Sequence, residues 1–179
     1  MRAKTLSNLV PNRHFPTKGM TAFHKPGREI AVLAVLQILF FLALALLEPR
    51  FLFVHLYEIV PYVAILLLFA YARIRWVYLI GPLVSLMWLI LAYSVGLLHS
   101  ATERVRQMHG SRANEDVVAI LALATAAVAV LMIVRCRIHW LKEFSGRGRA
   151  LRALLGSIAI VIAYYASLLH WFWDLMRKD

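Results

Sequence analysis

Glu58 is the strongest candidate for a chemical role in this sequence, because it is the only acidic side chain inside any long apolar segment. Insertion scales put an acidic group in mid-membrane at roughly 2.5–3.5 kcal/mol, so such a group seldom occurs without a partner or a role. The carboxyl must be protonated, paired, or in contact with a water-filled cavity. His55 lies three residues earlier on the same helix face and could share its proton. Glu58 and His55 are therefore the candidate catalytic or proton-handling pair; a structural polar contact between helices is the alternative.

Three histidines fall at the predicted outer ends of their apolar segments. Two imidazoles from different helices at one height can bind haem, and sets of His and Glu can hold a transition metal. His55-x-x-Glu58 alone is a weak metal pattern, so no metal site is predicted. Tyr93 and Tyr165 lie at a comparable height. The candidate site for haem or a quinone comprises His55, Glu58, Tyr93, His99, Tyr165 and His170; histidines that simply lie at the membrane surface are the alternative.

The elements that must position these residues are membrane helices. Of the 179 residues, 62% are hydrophobic and 16% are charged, and the mean hydropathy is +0.72. A soluble domain is about 45–50% apolar and about 25% charged. A globule of this size has too little interior for so many apolar side chains. The composition therefore excludes an ordinary soluble fold, and its wealth of large apolar residues excludes a disordered chain.

Five apolar segments of 18 to 22 residues are long enough to cross about 30 Å of hydrocarbon as helices. They are residues 30–47, 51–72, 77–98, 117–134 and 153–173. None alternates like the strands of a membrane barrel. The predicted fold is all-α, a polytopic transmembrane bundle between a basic tail (1–29) and a short C-terminal tail (174–179). Pro61 should kink the second span and free the carbonyl of Tyr57, next to Glu58.

The basic residues predict orientation and partners. Lys and Arg number 20 against 9 Asp and Glu. With a cytoplasmic N-terminus, 14 basic residues lie inside and 6 outside, so the positive-inside rule predicts an N-in, C-out topology in a bacterial inner membrane. Binding of anionic lipid headgroups is predicted for the densest basic cluster, with an acidic partner as the alternative: Arg135, Arg137, Lys142, Arg147, Arg149 and Arg152. Nucleic-acid binding is not predicted, because no fold signature for it accompanies the charge.

Small residues predict how the helices pack, because they let membrane helices approach closely. One face of the fifth span carries Gly156, Ala159, Ala163 and Ser167, and one stripe of the fourth carries Ala122, Ala126 and Val130. We predict that these two faces meet, or that one of them receives a partner subunit. The single cysteine, Cys136, excludes an internal disulfide.

The sequence contains no phosphate-binding loop, nucleophile elbow or His-Glu-x-x-His motif. The main functional hypothesis is a non-catalytic accessory or assembly subunit that packs against a larger membrane complex or self-associates, with apolar grooves and little internal cavity. The alternatives are a haem- or quinone-binding redox bundle, and a small membrane enzyme or transporter for a lipid-soluble substrate with Glu58 handling a proton. The polar residues within the predicted spans are concentrated towards the non-cytoplasmic ends. This bias predicts a cavity or polar seam that opens on the non-cytoplasmic side, with Glu58 near its floor.

Overall fold

The computed structural model describes residues 27–71, 74–107, 113–143 and 147–176. These ranges contain six α-helices and one 3₁₀ turn, Pro49–Phe51. The helices are α1 Arg28–Leu47, α2 Leu52–Ala70, α3 Ile74–Ser94, α4 Leu97–Arg106, α5 Ala113–Glu143 and α6 Arg147–Met176. All except α4 are long and apolar enough to cross a membrane. The prediction of an all-α bundle with five candidate spans is confirmed; most of the N-terminal tail, residues 1–26, lies outside the described residues.

The third span ends earlier than predicted. Residues 77–98 were expected to form one helix, but α3 ends at Ser94 and α4 begins at Leu97. Gly96 lies between them with φ +76°, in the left-handed region that glycine adopts without a Cβ penalty. The chain changes direction there, so Leu97 and Leu98 belong to a separate helix that packs on α5 and α3.

The predicted contact between the small-residue faces of α5 and α6 is wrong. A Cβ added to Gly156 would have nothing within 4 Å, and Ala159 and Ala163 are exposed. The side chains that α6 buries are Ser157, Val161, Tyr165 and Leu168, and the helix packs on α3 and α2. On α5, Ala122 is buried in a small cluster with Ala101 of α4. The bulkier face of α6 is therefore the packed one.

Pro61 lies inside α2, and the carbonyl of Tyr57 that it leaves without a helical donor finds one in α6. The hydroxyl of Tyr164 donates a hydrogen bond to this carbonyl. The rings of Tyr57 and Tyr164 stack with centroids 4.5 Å apart, and the Tyr57 hydroxyl lies 2.5 Å from Ser167 Oγ. A neighbouring helix thus satisfies the backbone group that proline frees, as membrane helices require.

The half of the bundle away from the α1–α2 turn is closed by the contact between α3 and α5. A Cβ added to Gly81 would lie 3.0 Å from the Sγ of Cys136 and 3.7 Å from the Sδ of Met132. Cys136 and Met132 are fully buried. Next to them, Tyr78 stacks on His139 with ring centroids 5.2 Å apart. Glycine at position 81 lets the two helices approach closely, because a Cβ there would crowd the sulfur of Cys136.

Candidate functional site

Glu58 lies in the interior of the bundle and contacts α3. Its side chain is 8% exposed. One carboxylate oxygen accepts a hydrogen bond from Trp88 Nε1 at 2.9 Å, and the other lies 3.1 Å from His55 Nδ1. The Trp88 indole is a donor only, so this hydrogen bond persists whichever group holds the proton. Each carboxylate oxygen therefore has one partner from the protein.

His55 links Glu58 to a second carboxylate. Its Nδ1 faces Glu58, and its Nε2 lies 3.6 Å from the Oε2 of Glu48, in the α1–α2 turn. The imidazole is buried and lies beside Phe41 and Phe51, with ring centroids 6.3 and 6.5 Å away. An imidazole between two carboxylates can pass a proton from one to the other, which is the usual role of histidine in proton transfer.

A cavity of about 400 Å³ opens above this pair. Its wall is formed by residues from the α1–α2 turn and from helices α1 to α5. Glu58 and Trp88 lie at its deep end, and Glu48, Arg104 and Glu115 lie nearer the end of the bundle that holds the α1–α2 turn. The rest of the wall is mainly apolar, as is usual for a ligand pocket. A cavity that reaches Glu58 is therefore present, whereas the accessory-subunit hypothesis predicted little internal cavity.

Helix α4 forms one side of the cavity and is fastened to the start of α5. Arg104 Nη2 lies 3.0 Å from the Oε2 of Glu115, and Arg104 Nε lies 2.9 Å from the Oδ1 of Asp116. Ala101 of α4 packs against Ala119 and Ala122 of α5. The two ion pairs and this apolar contact hold α4 against α5 and complete the cavity wall.

The structure does not bring the predicted haem or quinone residues together. Tyr93 is 77% exposed, and His99 and His170 are exposed on the bundle surface. Tyr165 is buried, but its hydroxyl donates to the carbonyl of Val84 at 3.2 Å and does not line the cavity. Of the six candidates, only His55 and Glu58 line the cavity. The paired imidazoles that axial haem ligation needs are therefore not formed.

The part of the chain that the structure describes contains no group of three or more His, Cys, Asp or Glu residues placed to hold a metal ion. In the predicted lipid-binding cluster, Arg135, Arg137 and Arg152 are exposed, and Arg135 lies 3.3 Å from Glu29. The side chains of the other members, Lys142, Arg147 and Arg149, lie outside the described residues. The exposed members lie at the end of the bundle opposite the cavity mouth.

Sequence reasoning missed several residues of the site. Trp88 was not predicted to be a partner of Glu58. A signal for this pair existed, because a buried indole N–H needs an acceptor and Glu58 is the only carboxylate in the spans. Arg104 and Glu48 lie outside the predicted spans, and nothing in their local sequence places them in a shared cavity wall.

No protein-family model, curated protein or solved structure matches this chain. The geometry of the cavity is therefore what indicates a function. That geometry combines a mainly apolar wall, which can bind apolar groups, with a buried carboxylate–imidazole pair, which can exchange a proton.

Proposed function

We propose that this chain is a small membrane transporter that binds a lipid-soluble molecule in the cavity and couples its binding to a proton at Glu58 and His55. The observation that carries the proposal is a buried carboxylate, bonded to an imidazole, at the floor of a cavity of about 400 Å³. Ligand pockets usually span about 300–1,000 Å³. Proton-relay carboxylates and histidines in membrane proteins characteristically face such cavities.

The proposed orientation is N-in, C-out in a bacterial inner membrane. In this orientation the cavity opens away from the cytoplasm, and the exposed Arg135, Arg137 and Arg152 lie at the cytoplasmic surface. The positive-inside rule supports this arrangement. At that surface the basic cluster meets anionic lipid headgroups, which attract each nearby basic residue by about 1 kcal/mol.

A second candidate function is that of an accessory subunit packed against other membrane helices or against a second copy. The exposed face of α6 with Gly156, Ala159 and Ala163 favours it, because small residues let another helix approach closely. This role makes no use of Glu58, and it does not explain why a carboxylate is buried beneath a cavity. The two candidates therefore differ in what they predict for the Glu58→Gln variant.

Dicyclohexylcarbodiimide tests the proposed function without knowledge of the ligand. This apolar reagent enters lipid and adds to protonated carboxyl groups, and mass spectrometry of the digested protein locates the adduct. We expect modification at Glu58, at a rate that falls as pH rises because fewer carboxyl groups then carry a proton. Glu58→Gln should abolish this adduct, whereas Glu103→Gln, at an exposed ion pair with Arg106, should leave it unchanged.

The proposal would be wrong if Glu58 in the folded protein stayed unmodified at every pH while the denatured protein reacted. It would also be wrong if the rate of modification at Glu58 did not change with pH, since the carboxyl group would then exchange no proton. An accessory subunit predicts one of these two results.

A further inference from the structure

We propose that the ligand of this cavity is an organic cation with an apolar or aromatic body, and that it enters in exchange for the proton held between Glu58 and His55. This inference rests on the proposed function and names the chemical class of the ligand. It is carried by the charges around the cavity, the aromatic residues in its wall, and the pairing of its basic groups.

Carboxylates outnumber basic groups around the cavity. Glu48, Glu58 and Glu115 line it, and Asp116 pairs with Arg104 at its edge. The basic groups are Arg104, His55 and Arg50, which lies over the ring of Phe51. Four carboxylates thus face two guanidinium groups and one imidazole. A cavity lined by an excess of one charge attracts ligands of the opposite charge.

The guanidinium group most deeply placed in the wall is already engaged. Arg104 bonds Glu115 through Nη2 at 3.0 Å and Asp116 through Nε at 2.9 Å. An anionic ligand would have to break these pairs and would then meet Glu58 at the floor. A cationic ligand meets the Glu58 carboxylate in the cavity lining and needs to break neither ion pair of Arg104. The arrangement therefore selects against anions as well as for cations.

The aromatic residues suit the body and the charge of such a ligand. Phe41, Phe51 and Trp88 line the cavity together with aliphatic side chains. A cation over an aromatic face is stabilised by about 0.5–2 kcal/mol, more where water is excluded. Phe51 already holds a cation in this way, because the Arg50 guanidinium carbon lies 5.4 Å from its ring centroid.

The proton exchange follows from the groups that face Glu58. His55 and Tyr62 from α2, Trp88 from α3, and Tyr164 and Tyr165 from α6 lie near Glu58. The other titratable or charged groups lie farther out around the cavity: Glu48 in the α1–α2 turn, Arg104 on α4, and Glu115 and Asp116 on α5. Only His55 and Trp88 are hydrogen-bonded to Glu58 among the described residues. The Trp88 N–H does not titrate, so the exchangeable proton is the one shared with His55. A buried site stays close to neutral, so one entering cation displaces one proton.

Tetraphenylphosphonium and tetraphenylborate test the inference, because the two ions share size and shape and differ in the sign of their charge. Binding is measured by equilibrium dialysis of the full-length protein in nanodiscs, with protein-free nanodiscs subtracted. We expect saturable binding of the phosphonium and no specific binding of the borate. A pH indicator in weak buffer should record about one proton released per bound cation, since one positive charge replaces another at a buried site. Phosphonium affinity should therefore fall as pH falls.

Glu58→Gln should weaken phosphonium binding roughly 30-fold or more, as expected when a buried charge loses its partner, and should abolish proton release. Val95→Trp narrows the cavity without altering any charge and should also weaken binding. Its control, Val117→Trp, changes an exposed valine outside the cavity lining and should bind normally. If the Glu58 variant does not fold, the Val95 variant still tests whether the phosphonium binds in this cavity.

Borate binding as tight as phosphonium binding, or phosphonium binding without proton release, would overturn the inference. So would a lack of binding by either ion. In that last case, carbodiimide modification of Glu58 separates the two proposals. A pH-dependent adduct would leave the proposed function standing and refute only the cation, whereas its absence would refute both.

Discussion

The hydrogen bond from Tyr164 to the carbonyl of Tyr57 gives the sharpest test of how this bundle is held together. Residue 61 is a proline and has no N–H to donate to that carbonyl, so α6 supplies the donor. Tyr164→Phe removes only the hydroxyl and keeps the ring, which stacks on Tyr57 at 4.5 Å. The variant therefore isolates the hydrogen bond from the aromatic packing.

The expected size of the effect is small but measurable. A buried acceptor left without a donor costs about 1–3 kcal/mol in soluble proteins. Side-chain hydrogen bonds between membrane helices average about 0.6 kcal/mol and reach about 1.7. We expect Tyr164→Phe to lower the free energy of unfolding by about 1 kcal/mol, a factor of about five in the equilibrium constant. In the Pro61→Ala background the loss should vanish, because the restored N–H of residue 61 can bond the Tyr57 carbonyl.

The free energy of unfolding is measured with dodecyl sulfate in mixed micelles and followed by circular dichroism. The four proteins compared are the wild type, Tyr164→Phe, Pro61→Ala and the double variant. Tyr93→Phe is the control, since that side chain is 77% exposed and no change is expected. Equal losses from Tyr164→Phe with and without Pro61 would refute the reasoning. The hydroxyl would then stabilise the protein through some contact other than the carbonyl that proline frees.

Two further predictions concern the segment that completes the cavity wall. Gly96→Ala should destabilise the protein by about 1–2 kcal/mol in the same unfolding assay, because its φ of +76° disfavours any Cβ. The matched change Gly156→Ala, also without neighbours within 4 Å but inside a helix, should be neutral or stabilising by up to about 1 kcal/mol; equal effects would contradict the argument. Arg104→Gln should speed amide exchange in α4 but not in α1, with a loss of at most about 1 kcal/mol because the ion pairs are partly exposed. Unchanged exchange in α4 would show that these pairs do not hold it.

The sequence is informative where a single physical cost dominates. Five segments had to be helical because of length and apolarity, and Glu58 had to face the interior because a carboxylate is costly in lipid. The carbonyl freed by Pro61 was likewise predictable, because proline removes one specific donor. In each case one residue type imposes a requirement that few arrangements satisfy.

The choice of helix neighbours was not predictable in this way. Lipid provides no hydrophobic drive between spans, so a face with Gly156 and a face with Tyr165 compete through packing details that one sequence does not reveal. Which helix faces pack together also decides that His99 and His170 lie on the surface of the bundle. The end of α3 had a signal in the sequence, because Gly96 precedes an amphipathic pattern that indicates a separate helix: Leu97, Leu98, Ala101 and Val105.

The close approach of α3 and α5 at Gly81 bears on how any solute could cross this protein. In the proposed function, a molecule held at Glu58 would meet the buried side chains of Cys136 and Met132 on its way to the other side of the membrane. For the proposed transporter, that passage would require α3 and α5 to separate at Gly81, where the missing side chain lets the two helices pack closely.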